Sequence, residues 1–509
     1  MNTFSFPSVR LDGLTLILGL GETGLAAALW CAQQGARLRV LDTRSEPGGL
    51  QALQQALGED QVEYCLGAQA LNEKALQDVC TIVLSPGLSP FQAPVSELLA
   101  LAAQRDIEVI GEIELFARAL ADMAPQGYEP KVLAVTGTNG KTTVTAMTRQ
   151  LVQASGLAVK AAGNISPAAL GALRDALAAN DLPEVWVLEL SSFQLESTRS
   201  LRPDAAVVLN VTQDHLDWHG SMQAYAAAKA RLLNMSAITI VNRDDPQVMA
   251  MVDGISKLAV RSFGSDVPVL QGDLGLERSH DMTWLVAAEA TDFDMPAAPT
   301  RRKKSAAEPE RAEGRVSRLI PADALRARGQ HNALNALAAL ALARCLDLGW
   351  AAMLHALRDY EGEPHRTEFV RTIADVDFIN DSKGTNVGAT VAALEGMGTR
   401  VVLIAGGMGK GQDFAPLAEA VRAHARAVVL IGQDAATIAQ ALAGTNVPTE
   451  LVDTLAVAVS RSMELAQPGD TVLLSPACAS LDMFRNYGHR GACFVDEVQE
   501  LALSRGEIA

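Results

Sequence analysis

The sequence predicts an α/β protein of three domains: an N-terminal Rossmann-like domain over residues 1–111, a central P-loop ATPase-like domain with a mostly parallel sheet over 112–362, and a C-terminal Rossmann-like domain over 363–509. Three observations predict it. Short apolar runs ending in glycine turns alternate along the chain with alanine-rich stretches of helical length, the pattern of parallel strands joined by crossover helices. Two of those turns, GLGETG at 19–24 and GTNGKTT at 137–143, each follow an apolar run and open a helix. At 509 residues the chain also has the length of about three domains.

The first domain opens with a strand at 14–18, the GLGETG turn, a helix to about Gln34 and a second strand at 37–41 ending at Asp42. This is a βαβ unit with G-x-G-x-x-G and an acid 18 positions beyond the last glycine. The glycines specify a diphosphate near a helix N-terminus, but they do not fix its partner. A nicotinamide and another nucleotide diphosphate both remain open. A strand at 81–84 ends in Ser85-Pro86-Gly87, at the carboxyl edge where ligands of open α/β sheets sit. Residues 109–111 close the unit, and 112–121 read as a connecting helix.

The central domain carries the most informative segment. An apolar run at 132–135 precedes Gly137-Thr138-Asn139-Gly140-Lys141-Thr142-Thr143, and a helix follows. Glycines let backbone N–H groups turn inward, the helix start adds positive potential, and Lys141 adds a mobile cation. Thr142 is placed to ligate Mg²⁺. Val135 stands where the usual longer loop has its first glycine, so this loop is short. Further strands are expected at 185–190, 205–210 and 237–241. Glu189 ends the first of them, and Asn210 leads into Asp214 and His215. An acid on a neighbouring strand end can hold Mg²⁺, and His215 can reach a second metal or the phosphate. Either can instead be a hydrogen-bonded buried residue. Lys229, among alanines on a helix, reads by default as an exposed lysine. Asn332 and Asn335 share one helix face, as a cap and a packing accident or as amide donors to a nucleotide.

Residues 296–315 (PAAPTRRKKSAAEPERAEGR) lack apolar periodicity and read as a solvated loop, with Arg301–Lys304 as an alternative anion site. The third domain begins near a glycine-proline hinge at 362–364, followed by His365 and Arg366. Its strands are expected at 377–380, 401–405, 427–431 and 471–474. Three turns follow them: one with Asp381, Lys383 and Thr385, one with Lys410, and one with Ser480.

A net charge of −17 argues against nucleic-acid and membrane-surface partners. Anionic ligands would then depend on local cations and helix ends. Six scattered cysteines without a C-x-x-C pair suit reduced thiols of a cytoplasmic protein. The N-terminus has no basic-then-apolar signal, and no apolar run reaches the length of a membrane span.

Together these residues resemble the Mur ligase family, ATP-dependent amide-forming enzymes of peptidoglycan synthesis. GTNGKTT, ELSSFQLE, NVTQDHLD, the helical Lys229, GQHNALNA, EPHRTE and INDSKGTN occur in the family's order, over nearly the whole chain. GLGETG, LDTR, SPGL, GEIELF, GGMGKGQDF and SPACASLDMFRNY resemble the branch that adds D-glutamate to UDP-N-acetylmuramoyl-L-alanine. The resemblance implies ATP and Mg²⁺ as cofactors, those two small-molecule substrates, a monomer, and catalysis through an acyl phosphate. It implies that Gly137–Thr143, Asn164, Asn332, Asn335, Arg366 and Asp381 bind ATP. Thr142, Glu189, His215 and Lys229 would serve metals, with Lys229 carbamylated. Thr23, Asp42, Thr43, Arg44, Ser85, Pro86 and Gly87 would bind the UDP sugar. Lys383, Thr385, Lys410, Ser480 and Tyr487 would bind D-glutamate. Lys141, His215, Lys229 and Lys383 would be the catalytic set. Glu22, at a usually apolar position, is expected to face water, and Tyr487 to contact glutamate through its backbone. A folylpolyglutamate-type ligase and a nicotinamide-dependent dehydrogenase are the competing readings.

Overall fold

Runs of Val, Leu and Ile without polar alternation need cover on both faces, and that requirement explains the three sheets. In the computed structural model, which describes residues 4–58, 61–290, 310–327 and 329–507, Leu14–Leu18 is buried throughout. It lies at the centre of a five-stranded parallel sheet. Arg37–Asp42 and Val79–Leu84 flank it, with Val62–Leu66 and Glu108–Ile110 at the edges.

Among the described residues the central sheet has nine strands. Lys131–Thr136, which leads into the phosphate loop, lies between Val185–Glu189 and Ala205–Val208. Val159–Gly163 closes one edge, and Ile238–Asn242 and Val260–Phe263 continue the other. These six are parallel. Beyond them Leu274–Ser279, Met282–Glu289 and Arg315–Pro321 form an antiparallel extension. The C-terminal sheet runs Glu368–Ile373, Val376–Asn380, Thr471–Leu474, Val401–Gly406, Ala425–Ile431, Thr449–Leu451, parallel except for its first pair.

The central sheet is mostly parallel as expected, and it also carries this antiparallel extension. The solvated reading of 296–315 fails at its far end. Arg311 forms a nearly buried ion pair with Asp273 at 2.7 Å, Glu313 bridges to Leu270, and Arg315 begins an edge strand. The low apolar content of this stretch hides a guanidinium that satisfies a buried carboxylate. Arg301–Lys304 lie outside the described residues.

The domains join in two different ways. One continuous apolar core spans the N-terminal and central sheets, with Trp30, Ile110, Phe116, Leu170 and Trp186 all in it. The connecting helix Glu112–Met123 supplies its middle, and Phe116 meets Trp186 edge-on at 5.3 Å. The acids of GEIELF are buried in the same junction. Glu112 accepts from the Leu170 N–H, and Glu114 from the N–H groups of Arg199 and Ser200. Burial pushes the Glu112 carboxyl up to about 7. No apolar cluster of the described residues bridges the central and C-terminal sheets. Phe116→Ala should therefore cost about 3–5 kcal/mol. In urea denaturation the N-terminal and central domains should lose stability together, and independent melting of the N-terminal domain would contradict a shared core.

Candidate active site

The phosphate loop is held from both sides. Its Thr138 N–H donates to the Asn210 carbonyl at 2.9 Å, and the Asn139 N–H donates to Asn210 Oδ1 at 2.8 Å. The helix Lys141–Ala154 then starts directly after Gly140, whose φ is +82°. A Cβ at Gly140 would sit 2.6 Å from Asn335 Oδ1. Glycine is required here both by the left-handed backbone and by the close approach of the asparagine helix. Asn335 donates to Asn332 Oδ1 at 3.3 Å, so the i, i+3 pair does share a face.

Lys141 Nζ donates to the carbonyls of Gly137 and Thr138 at 2.9 and 2.8 Å. Thr142 Oγ1 donates to Glu189 Oε2 and Asn164 Nδ2 to Glu189 Oε1, both at 2.8 Å. One hydroxyl and one buried carboxylate suit Mg²⁺, which keeps water and phosphate oxygens in the rest of its shell. Among the described residues no group of three His, Cys, Asp or Glu side chains forms a complete cage. The protein donors therefore fit a metal that arrives with phosphate.

Lys229 overturns its default reading. It is 1% exposed, donates to the Gly137 carbonyl at 2.8 Å and lies 4.6 Å over the Tyr225 ring. Burial, then the nearby Lys141, holds its amine well below the usual lysine range. Alanine neighbours gave no sign of this, because the covering groups are far away in sequence. Lys141 is likewise lowered by burial. His215, in the left-handed region at φ +53°, has Nε2 3.5 Å from Asp214, and burial lowers its pKa. Burial pulls Lys383 down to about 8, with Arg366 and Lys141 adding to the effect, and its Nζ lies 3.8 Å over the Tyr487 ring. Burial raises Asp381 to about 6, although it accepts from Ser475 Oγ at 2.7 Å and from the Thr367 N–H.

Thr138, Asn139, Gly140, Lys141, Thr142, Asn164, Glu189, His215, Arg366, Lys383, Thr385 and Lys410 line one cleft between the central and C-terminal sheets. Asn139, Gly140, Thr143, Asn332, Asn335, Arg366, Asp381 and Lys383 line an adjoining pocket. Gly137 and Lys229 do not line that cleft, and Lys229 reaches the loop through its bond to the Gly137 carbonyl. Ser480 and Tyr487 do not line the cleft. Ser480 is buried, and the Tyr487 carbonyl accepts from Ser382 Oγ at 2.8 Å. Sequence reasoning missed Leu209, Phe263 and Asn242, which give the second pocket apolar walls and an amide. It also gave no role to Asn386, which exchanges amide hydrogen bonds with Asn139 at 3.0 and 3.3 Å across the cleft.

The candidate UDP-sugar residues form a separate group at the carboxyl edge of the N-terminal sheet. Asp42 is buried and accepts from the Leu20 N–H at 2.8 Å and from Arg44 through two side-chain nitrogens. Burial alone would raise this carboxyl, but Arg44 and the N–H groups outweigh it and hold the pKa below the ordinary value. Ser85 Oγ donates to the Gly19 carbonyl at 2.7 Å. Thr23 lies in the helix Glu22–Gln33, Thr43 and Gly87 are exposed, and Pro86 is half-buried. Glu22 is exposed as expected, and it accepts from Ser166 Oγ at 2.7 Å. Gly24 serves packing, since a Cβ there would lie 1.9 Å from the Gly19 carbonyl oxygen.

This fold and cleft define an α/β protein with a phosphate-loop cleft between two of its domains. Its residues 14–111, 135–343 and 365–478 match the family models described as Mur ligase MurD-like N-terminal domain, Mur ligase middle domain, and Mur ligase, glutamate ligase domain. A UDP-N-acetylmuramoylalanine--D-glutamate ligase of Bordetella bronchiseptica is 67% identical over 97% of this chain and 98% of its own. Its namesake from Cupriavidus pinatubonensis is 55% identical over 96% and 97%. The solved UDP-N-acetylmuramate-alanine ligase of Thermotoga maritima shares the fold, with a TM-score of 0.55 at 17% identity over 96% of this chain and 99% of that one. The chain belongs to the Mur ligase family.

The lowered Lys383 amine gives a pH prediction. Between about 8 and the ordinary lysine value the unfolded chain binds the proton and the folded one does not, so stability rises with pH across that window. Below it the folded state carries the full cost of a buried ammonium. Lys383→Met should therefore stabilise the protein at pH 7 by up to ~3 kcal/mol, taking 1.36 kcal/mol per pKa unit. The gain should fade toward pH 10.5, and denaturant melts at pH 7 and pH 10 would detect it. A gain independent of pH would contradict the burial of this charge.

Proposed function

We propose that this protein is an ATP-dependent ligase that joins D-glutamate to UDP-N-acetylmuramoyl-L-alanine in peptidoglycan precursor synthesis. The observation that carries the reading is one cleft in which Lys141, the Thr142–Glu189 pair and Lys383 converge. Relatives that this chain matches over 96–97% of its length supply the substrate identities. The domains are taken as 1–111 for the UDP sugar, 112–362 for ATP and 363–509 for the amino acid, in a cytoplasmic monomer.

The chemistry follows from charge. A carboxylate is a weak electrophile, so the substrate carboxylate first takes the γ-phosphoryl group of ATP to become an acyl phosphate. The glutamate amine attacks the acyl carbon, and the tetrahedral intermediate expels phosphate. Lys141 leaves its two loop carbonyls and follows the moving phosphoryl charge. Mg²⁺, held by Thr142 and Glu189, would offset phosphate charge when bound. Arg366 and Lys383 reach both cleft and pocket and bridge the two ends of the nucleotide. Leu209 and Phe263 offer the base an apolar wall, and Asn332 and Asn335 offer it amides. Thr385 and Lys410 face the cleft from the C-terminal domain and would hold the glutamate carboxylates. Asp42, Arg44 and Ser85 would hold the UDP sugar. Lys229 is read as a carbamate: its buried, readily deprotonated amine is the form that takes up carbon dioxide, and the product would be a second metal ligand with His215.

Phosphate release with ATP and UDP-N-acetylmuramoyl-L-alanine should require D-glutamate, with L-glutamate and folate substrates inactive. Equal turnover of L-glutamate would reject the substrate assignment, and tight NADH binding would favour the dehydrogenase. Lys141→Ala should lower kcat by about 10²–10³ at an unchanged melting temperature. Lys229→Ala should lose activity, Lys229→Arg should not restore it, and acetate should partly rescue the alanine variant. A labile ¹³C adduct should appear on this lysine in carbon-13 NMR under labelled bicarbonate. Full activity of Lys229→Ala would end the carbamate reading.

A further inference from the structure

We infer that Phe91, Trp218 and Phe193 form a positioning element that ties the 85–87 turn of the N-terminal domain to His215 in the cleft. The inference rests on reading that turn as part of the UDP-sugar site. Ser85 is fixed by its bond to Gly19, and the Leu88 N–H donates to the Ser85 carbonyl at 3.1 Å, so the turn passes stiffly into the next residues. Those residues grip the central domain. Ser89 Oγ donates to the Trp218 carbonyl at 3.1 Å, the Gln92 amide donates to the Asp217 carbonyl, and Phe91 meets Trp218 edge-on at 5.5 Å. Trp218 stacks on Phe193 at 4.6 Å, and Phe193 meets His215 at 4.7 Å. The aromatic series therefore begins beside one substrate site and ends at a side chain of the other.

Three features are hard to explain as packing alone. Phe91 is 56% exposed, yet its ring contact reaches across the domain boundary. Trp218 is 8% exposed, and its buried Nε1 has no hydrogen-bond partner among the described residues. The indole is thus held by its faces and edges, at the cost of an unsatisfied donor. His215 sits in a left-handed conformation that costs a non-glycine residue free energy unless its surroundings over-determine it. Its carbonyl accepts from the N–H groups of both Trp218 and His219, so the turn 215–219 moves as one piece with the indole. A shift of the 85–92 segment on ligand binding would be passed to His215.

The test uses the full chain with ATP, D-glutamate and UDP-N-acetylmuramoyl-L-alanine. Phe91→Ala should lower kcat three- to tenfold while leaving the KM for ATP and the melting temperature unchanged. Trp218→Leu should lower kcat at least tenfold, and Trp218→Phe, which loses no hydrogen bond, should stay within twofold of wild type. Adding the UDP substrate should change tryptophan emission, and Trp218→Phe should abolish that change. Wild-type kcat and KM in Phe91→Ala, or an equal emission change in Trp218→Phe, would overturn the inference. If Trp218→Leu unfolds, the exposed Phe91 position alone decides. A wild-type protein without turnover would instead overturn the functional reading, and this inference with it.

Discussion

Two lysine amines share one backbone oxygen. Lys141 and Lys229 both donate to the carbonyl of Gly137, at 2.9 and 2.8 Å. Burial displaces both amines toward the neutral form, and the Lys141 charge adds to the effect at Lys229. The loop is therefore short of negative charge. Glu189 and Asp214 supply part of it, and both amines feel them. A bound polyphosphate would supply the rest. Much of the cleft's design can be read from this deficit: one acid beside Thr142, cations arriving from the C-terminal domain, and a buried lysine whose amine is displaced toward its neutral form. An acidic protein with a net charge of −17 can gather anionic substrates only by keeping such local deficits.

Much of this was legible in the sequence because local chemistry announced it. Strand ends followed by glycine, a helix start after Gly140, and polar residues at Glu189 and Asn210 are short-range signals, and the sheet order places them side by side. The antiparallel extension has a local signal as well. Leu274–Ser279 and Met282–Glu289 are joined by a two-residue turn at His280 and Asp281, and that spacing is a hairpin signal. Lys229 was not legible. Its burial depends on Gly137 and Tyr225 closing over it, and a helix rich in alanine looks the same whether covered or bare. Arg311 was hidden for a related reason, since a charge pattern does not say which cation will meet a buried acid.

The site residues divide in the same way. Those on the phosphate loop and its neighbouring strand ends could be placed by position. Leu209, Phe263 and Asn386 could not, because each gains its role only when a second element arrives. Ser480 and Tyr487 stand in a recognisable run but apart from the cleft lining: one is buried, and the other offers Lys383 its ring.

The two domain junctions also differ in thermal character. The N-terminal and central domains are bonded by apolar burial, whose loss would carry a large positive heat-capacity change and belongs to unfolding. The seam between the central and C-terminal domains carries the amide pair of Asn139 with Asn386, and Leu209 and Phe263 face the pocket beside it. No apolar cluster of the described residues spans this seam, so parting it should carry a smaller heat-capacity change. That seam should then respond to temperature more gently than the shared core, which parts only when the two domains melt.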